Sequence, residues 1–178
     1  MQTERTLWFP LEEKDFPDMM EMAREPDTFK YIRKFQVMTE EEYRRFLYTK
    51  LEQIRRGRGY HWAVRLKTDK SFIGAVNLNP IGNSSLLQIG CQLKRACWHQ
   101  GFATELMKKA VTFAFDEAGL TEVYGVFEKE NIISRKLLDR LGFQWQETRT
   151  DTATGVETEI HKTSATALPP PSPASRPR

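Results

Sequence analysis

The chain is poor in cysteine and histidine: Cys91 and Cys97 are its two thiols, and His61, His99 and His161 its three imidazoles, among 178 residues. No Cys-x-x-Cys pair or close histidine spacing joins them, so neither a disulfide framework nor a metal site is expected. An apolar run of about 18 residues, long enough to cross a bilayer, is also missing, and no membrane partner is expected. With no apolar leader segment, the expected compartment is reducing and cytoplasmic. Charge of one sign is lacking too: 27 Lys and Arg stand against 24 Asp and Glu, for a net +3. A nucleic-acid binder carries a denser basic stripe, so no nucleic acid is expected as partner. Two basic clusters keep a nucleic-acid-associated module open as a rival. Arg55-Arg56-Gly57-Arg58 reads as a solvated helix end, and Lys94-Arg95 either as solvated or as an aid to an anionic cofactor.

What the chain does contain is a loop-to-helix junction, Trp98-His99-Gln100-Gly101-Phe102-Ala103-Thr104-Glu105, with small residues where an apolar helix starts. Helix starts carry unpaired N–H groups and partial positive charge, and Gly101 and Ala103 would let a pyrophosphate approach the backbone closely. No Gly-Lys-Ser or Gly-Lys-Thr end is present for a Walker-type loop, and the glycine spacing fails the dinucleotide fingerprint. A second motif spans residues 131–143. It reads as a helix capped by Asn131 that ends near Gly142 and enters a strand at Phe143.

Periodicity predicts the surrounding elements. A strand is expected over residues 3–11, closed by Pro10, then a helix on Phe16, Met19, Met20 and Ala23 that Pro26 stops. Asp27-Thr28 is read as the cap of a short turn through Tyr31, and Thr39 with Glu42 as a capping box for a helix to about Arg56. Strands follow at residues 60–66, 72–78 and 86–93, the first two joined by a hairpin loop at 67–71. Leu106, Met107, Ala110, Phe113 and Ala114 mark an amphipathic helix over 103–118. A strand at 123–127, the Asn131 helix, a strand from Phe143 and a last strand over 156–162 complete a mixed α/β domain at residues 1–164. Residues 165–178 hold five prolines and are expected to be disordered or extended, with a proline-rich docking segment as the alternative.

On its two motifs the chain resembles the GCN5-related N-acetyltransferase (GNAT) superfamily, and within it the branch that includes the ribosomal-protein alanine N-acetyltransferases. The family's loop pattern, Gln/Arg-x-x-Gly-x-Gly/Ala, falls on Trp98, Gly101 and Ala103, with Trp98 at the Gln/Arg position. The pattern Asn-x-x-Ser-x-x-Leu-Leu-x-x-Leu-Gly-Phe is met in full from Asn131 to Phe143. The resemblance implies the GNAT fold, an α+β domain whose mixed, mostly antiparallel central sheet is flanked by helices. It implies acetyl-CoA as co-substrate and a primary amine, small-molecule or protein N-terminal, as acceptor, attacked directly in a ternary complex. Backbone groups at Gln92, Leu93 and Lys94 would pair with the pantetheine arm. The loop residues His99, Gln100, Gly101, Phe102, Ala103 and Thr104 would hold the pyrophosphate. Strand 86–93 would splay from its neighbour, freeing N–H groups between Gly90 and Leu93 as oxyanion donors. Homodimers are frequent in the family, so a homodimer is open here.

Side chains for the chemistry follow from the same comparison. Asn131 caps its helix and, on the functional reading, also contacts cofactor or acceptor. Many members place a tyrosine acid seven residues later, where this chain has Leu138, so Ser134, directly or through water, is the first candidate to protonate the thiolate and Tyr124 the second. A thiol with a pKa of ~8.5 leaves readily, so weak acid help suffices. Relatives often carry Glu-Ile-Gly on the strand before the loop; here it is Gln88-Ile89-Gly90, and Gln88 is no base. A water chain, Glu128 or Glu130 are the alternatives, while Glu105 is expected to stabilise its helix start. An alkyl ammonium at ~10.4 needs such a base more than an α-amine at ~8. Cys91 and Cys97 are expected to be inert rather than ping-pong nucleophiles. Gly90 is read either as a bulge or as a tight packing contact, and Tyr31, Phe35, Trp62 and Asn77 as acceptor walls or as core. The missing strand carboxylate and tyrosine leave a CoA-binding sensor as the alternative to an enzyme.

Overall fold

Seven runs of extended residues assemble into one sheet: β1 (Thr6–Pro10), β2 (Tyr60–Leu66), β3 (Phe72–Pro80), β4 (Leu87–Leu93), β5 (Glu122–Glu128), β6 (Gln144–Thr150) and β7 (Glu157–Ser164). They lie in the order β1-β2-β3-β4-β5-β7-β6 in the computed structural model, which describes residues 1–166. The expected proline-rich tail falls outside the described residues from 167 onward. Every neighbouring pair is antiparallel except β4 and β5, which run parallel. A parallel pair cannot be closed by a hairpin, and here the helix α4 (Phe102–Asp116) supplies the crossover.

Alternation along the strands divides the core in two. Trp62 and Val64 of β2 and Val76 and Leu78 of β3 join Leu106, Ala110 and Ala114 of α4 and Leu138 of α5 (Ile132–Arg140) on one face. Ala63 and Ala75 face the other way, where Met19 and Met22 of α1 (Phe16–Ala23) and Leu47 and Leu51 of α3 (Glu40–Arg55) cover them. The capping box of α3 is formed in both directions: Glu42 N–H donates to Thr39 Oγ1 at 3.2 Å, and Thr39 N–H to Glu42 Oε2 at 2.8 Å.

Two expectations need correction. Three α-helices, not two, separate β1 from β2, with a 3-10 turn at Glu13–Asp15 ahead of them, because α2 (Arg33–Gln36) forms one uncapped turn. The short turn expected through Tyr31 is present, but Asp27, at φ +66°, makes no side-chain capping bond in it. The β3–β4 register runs unbroken through Gly90, so no bulge lies there; register shifts occur instead at Val64/Arg65 and Trp145/Glu147. Gly90 is the tight contact. A Cβ on it would sit 2.7 Å from Asn77 Oδ1 of the neighbouring strand.

Candidate active site

Gly101 opens α4 with φ +81°, a left-handed conformation that side-chain-bearing residues adopt only at a cost. His99 two residues earlier is also left-handed, at φ +60°. No side chain caps α4, and the first helical bond runs from Glu105 N–H to Gly101 O at 3.1 Å. The N–H groups of Phe102, Ala103 and Thr104 therefore have no intrahelical acceptor and point out of the helix start, as an anion requires.

The strand leading to this turn is open on one side. Lys94 N–H donates to Ile73 O at 2.9 Å, so antiparallel alternation turns the amides of Gln92, Gly90 and Gln88 to β3 and those of Leu93 and Cys91 the other way. On that side β5 meets β4 through Gln88↔Tyr124, the one pair between them among the described residues. Beyond it the amides of Cys91 and Leu93 face the gap between the strands. This narrows the expected arm-binding run of Gln92, Leu93 and Lys94: only the Leu93 amide faces the gap. The Lys94 amide is spent on β3, its carbonyl accepts from Cys97 N–H, and its ammonium lies 2.8 Å from Glu21. Arg95 sits 3.7 Å from Asp27 and its guanidinium 6.0 Å from the centre of the Trp98 ring, so the Lys94 charge is committed to α1 while that of Arg95 lies between Asp27 and the loop. Trp98, at the position where the family pattern has Gln or Arg, donates its indole N–H to Leu93 O at 2.8 Å and so ties the end of β4 to the loop.

Asn131 Oδ1 accepts the Ser134 N–H at 3.0 Å, which makes Asn131 the cap of α5. The Ser134 hydroxyl makes no hydrogen bond among the described residues. Tyr124 donates to Glu122 at 2.6 Å, and that carboxylate, with some burial, pushes the phenol up to about 12, which weakens it as an acid. Glu128 ends β5 with a mostly covered side chain, 3.6 Å from Arg33 of α2. The two line a cleft of about 250 Å³ with Glu130, Gly155 and Glu157. Glu130 is exposed.

Desolvation pushes the Cys91 thiol up to about 12 and raises that of Cys97, so neither supplies thiolate near neutral pH. Trp62 belongs to the core, packed on Trp8, Tyr60 and Phe113, and Phe35 joins Phe29, Tyr43 and Phe46. Asn77 is buried beside Gly90. Two further groups on this side were not singled out in the sequence. Burial and the nearby Lys34 charge bring Lys50, hydrogen-bonded to Asn79 at 3.2 Å, down to about 8; burial brings His61 to about 3. Arg5 was missed as well. It reaches the Gln100 carbonyl at 3.0 Å and the Glu105 carboxylate at 2.7 Å, and nothing local to residue 5 signals partners so far along the chain. Among the described residues no helix is long and apolar enough to cross a membrane, and no three His, Cys, Asp or Glu side chains group as metal ligands.

Known proteins resemble this chain in sequence or in fold. A Bacillus subtilis protein described as the uncharacterized N-acetyltransferase YoaA is 30% identical over 88 residues, which cover 49% of this chain and 50% of YoaA. The match thus spans about half the length of that relative. Among solved structures, spermidine N-acetyltransferase from Vibrio cholerae in complex with CoA and spermine superposes with a TM-score of 0.77 at 17% identity, covering 91% of this chain and 96% of that one. RimL, a ribosomal L7/L12 alpha-N-protein acetyltransferase in complex with coenzyme A, does so with 0.76 at 14% identity, covering 91% and 95%. At these identities the structures show a shared fold. Residues 5–144, most of the chain, match the acetyltransferase (GNAT) domain, and with both motifs and the seven-stranded sheet in place, the chain belongs to the GNAT acetyltransferase family.

Proposed function

We propose that this chain is an acetyl-CoA-dependent N-acetyltransferase that acts on a primary amine by direct transfer. The observation that carries the reading is the uncapped first turn of α4, entered through left-handed Gly101, beside a β4 edge whose Cys91 and Leu93 amides face an open gap. Bound acetyl-CoA would supply the activated thioester. The α4 amides at Phe102, Ala103 and Thr104 hold the diphosphate, with His99, Gln100 and Gly101 shaping the turn. The Leu93 amide takes the pantetheine arm, and Cys91 N–H is the donor placed for the developing oxyanion. Asn131 orients the start of α5, and the uncommitted Ser134 hydroxyl returns a proton to the departing thiolate.

The acceptor follows from what β4 lacks. Without a carboxylate at Gln88, an amine of low pKa is favoured, and an α-amine at ~8 reaches its free-base form near neutral pH far more readily than an alkyl amine at ~10.4. We therefore assign a peptide or amino-acid α-amine ahead of a polyamine, in line with the ribosomal-protein branch of the family. Glu128, which lines the cleft between β5 and α2, is the carboxylate assigned to the released proton.

Thiol release from acetyl-CoA, measured against peptides, free amino acids, polyamines and aminoglycosides, tests the reading. Turnover is expected with peptides or amino acids. The absence of both the β4 carboxylate and a tyrosine at residue 138 favours one other reading, a CoA-binding sensor. Tight CoA binding with no thiol release for any acceptor would establish the sensor and end the enzyme reading.

A further inference from the structure

The turn proposed to bind the diphosphate has a carboxylate built into it. Glu105 occupies the first turn of α4, four residues after Gly101, and an acidic side chain there stabilises the helix start but repels an incoming dianion. Arg5, from the segment just before β1, covers that carboxylate. Its backbone N–H donates to Glu105 Oε1 at 3.1 Å and its Nε to Oε2 at 2.7 Å, so both carboxylate oxygens are taken. Its Nη1 donates to the Gln100 carbonyl at 3.0 Å, which holds that oxygen's dipole on the arginine. The guanidinium lies 3.9 Å from the centre of the Phe102 ring, and Nη2 is the nearest atom to the position a Cβ on Gly101 would take, at 3.7 Å. One side chain thus touches three members of the turn and its helix, Gln100, Phe102 and Glu105, and lies beside Gly101. Hydrogen bonds from Thr3 and Arg5 hold the Glu105 carboxyl below its ordinary value despite burial, so it is fully ionised near neutral pH and its charge must be met.

We infer that Arg5 is a positioning residue for diphosphate binding: it neutralises Glu105 and fixes the Gln100 carbonyl, leaving the first-turn amides of α4 as the net positive end that the diphosphate meets. The inference rests on the acetyl-CoA reading above. It differs from a purely structural role in one respect. If Arg5 acts by cancelling a charge, removing the charge it cancels must restore much of what its loss takes away.

The test is equilibrium binding of coenzyme A by titration calorimetry to the full chain and to Arg5→Ala, Glu105→Gln, the double variant and Arg5→Lys, with thermal unfolding of each. Arg5→Ala is expected to weaken coenzyme A binding about tenfold, and Glu105→Gln to leave it within about twofold. The double variant is expected to recover to within about threefold of the parent, and Arg5→Lys, which keeps the charge but loses the two-pronged contact, to fall between. Should Arg5→Ala unfold, Arg5→Gln serves the same cycle. A folded Arg5→Ala that binds as the parent does, or a double variant as weak as Arg5→Ala, overturns the inference and leaves the functional reading standing. A parent chain that does not bind coenzyme A overturns both.

Discussion

Leu138 of α5 fills the space that a side chain at Gly125 of β5 would need: a Cβ built on Gly125 collides with the Leu138 methyls. Leu138 is itself buried, and it stands at the position where many family members carry the acid tyrosine. In this chain that position is a contact between helix and sheet.

Gly125→Ala is therefore expected to be destabilising by about 1–3 kcal/mol, because the added methyl must displace Leu138 from a packed interior. Urea unfolding of the folded variant measures it. The double variant with Leu138→Ala should recover part of the loss. Leu138→Tyr should destabilise as well and should not raise turnover, since the ring has no room at the sheet.

Gly101 is constrained by its conformation and by what its amide neighbours must admit. Gly101→Val places a β-branched residue at φ +81°, at a cost on the order of 1–2 kcal/mol, and crowds the approach to the first turn of α4. The KM for acetyl-CoA should rise strongly. Gly101→Asn, which tolerates the left-handed region, should lose less stability. Unchanged cofactor affinity in a folded Gly101→Val would remove this turn from the site.

Ser134→Ala separates cap from chemistry. The cap bond uses the Ser134 backbone N–H and survives the substitution, so thermal stability should hold while kcat falls more than KM for acetyl-CoA rises. Asn131→Ala should instead cost about 1 kcal/mol of stability through the lost cap. A full-speed Ser134→Ala enzyme would exclude the hydroxyl from proton return.

His61 sets an acid limit on stability. Burial, with the Lys50 charge adding to it and the nearby Asn79 side chain opposing it, lowers its pKa from 6.5 to about 3. Between those values the unfolded chain binds a proton that the folded chain refuses. Stability from this group is full above about pH 6.5 and is lost as pH falls toward 3, with up to one proton taken up per molecule unfolding. Urea unfolding across that range should show the slope, and His61→Gln should flatten it.

Much of the molecule was readable from short stretches of chain, because the governing forces act over a few residues. The capping box at Thr39 and Glu42, the Asn131 cap, the helix end at Gly142 and the periodicity of α4 each depend on neighbours within about one helical turn. Short-range sterics and backbone hydrogen bonds are written in residue order, so the turn proposed to hold the diphosphate and its helix could be located from eight consecutive letters.

Other features depended on segments distant in the chain coming together. The gap on β4 exists because β5 diverges after Gln88↔Tyr124, and which amides face it is a matter of register with β3. Gly90 reads in sequence as a bulge or as a close contact, and the Asn77 side chain packed against it makes it the contact. Arg5 and Glu105 are separated in sequence by the first four strands and joined in space, and Trp62 became core rather than acceptor wall because Trp8 and Phe113 pack on it. Local pattern specifies each element's kind and its ends; pairing and packing, whose energies come from partners far along the chain, specify which groups are left free to act.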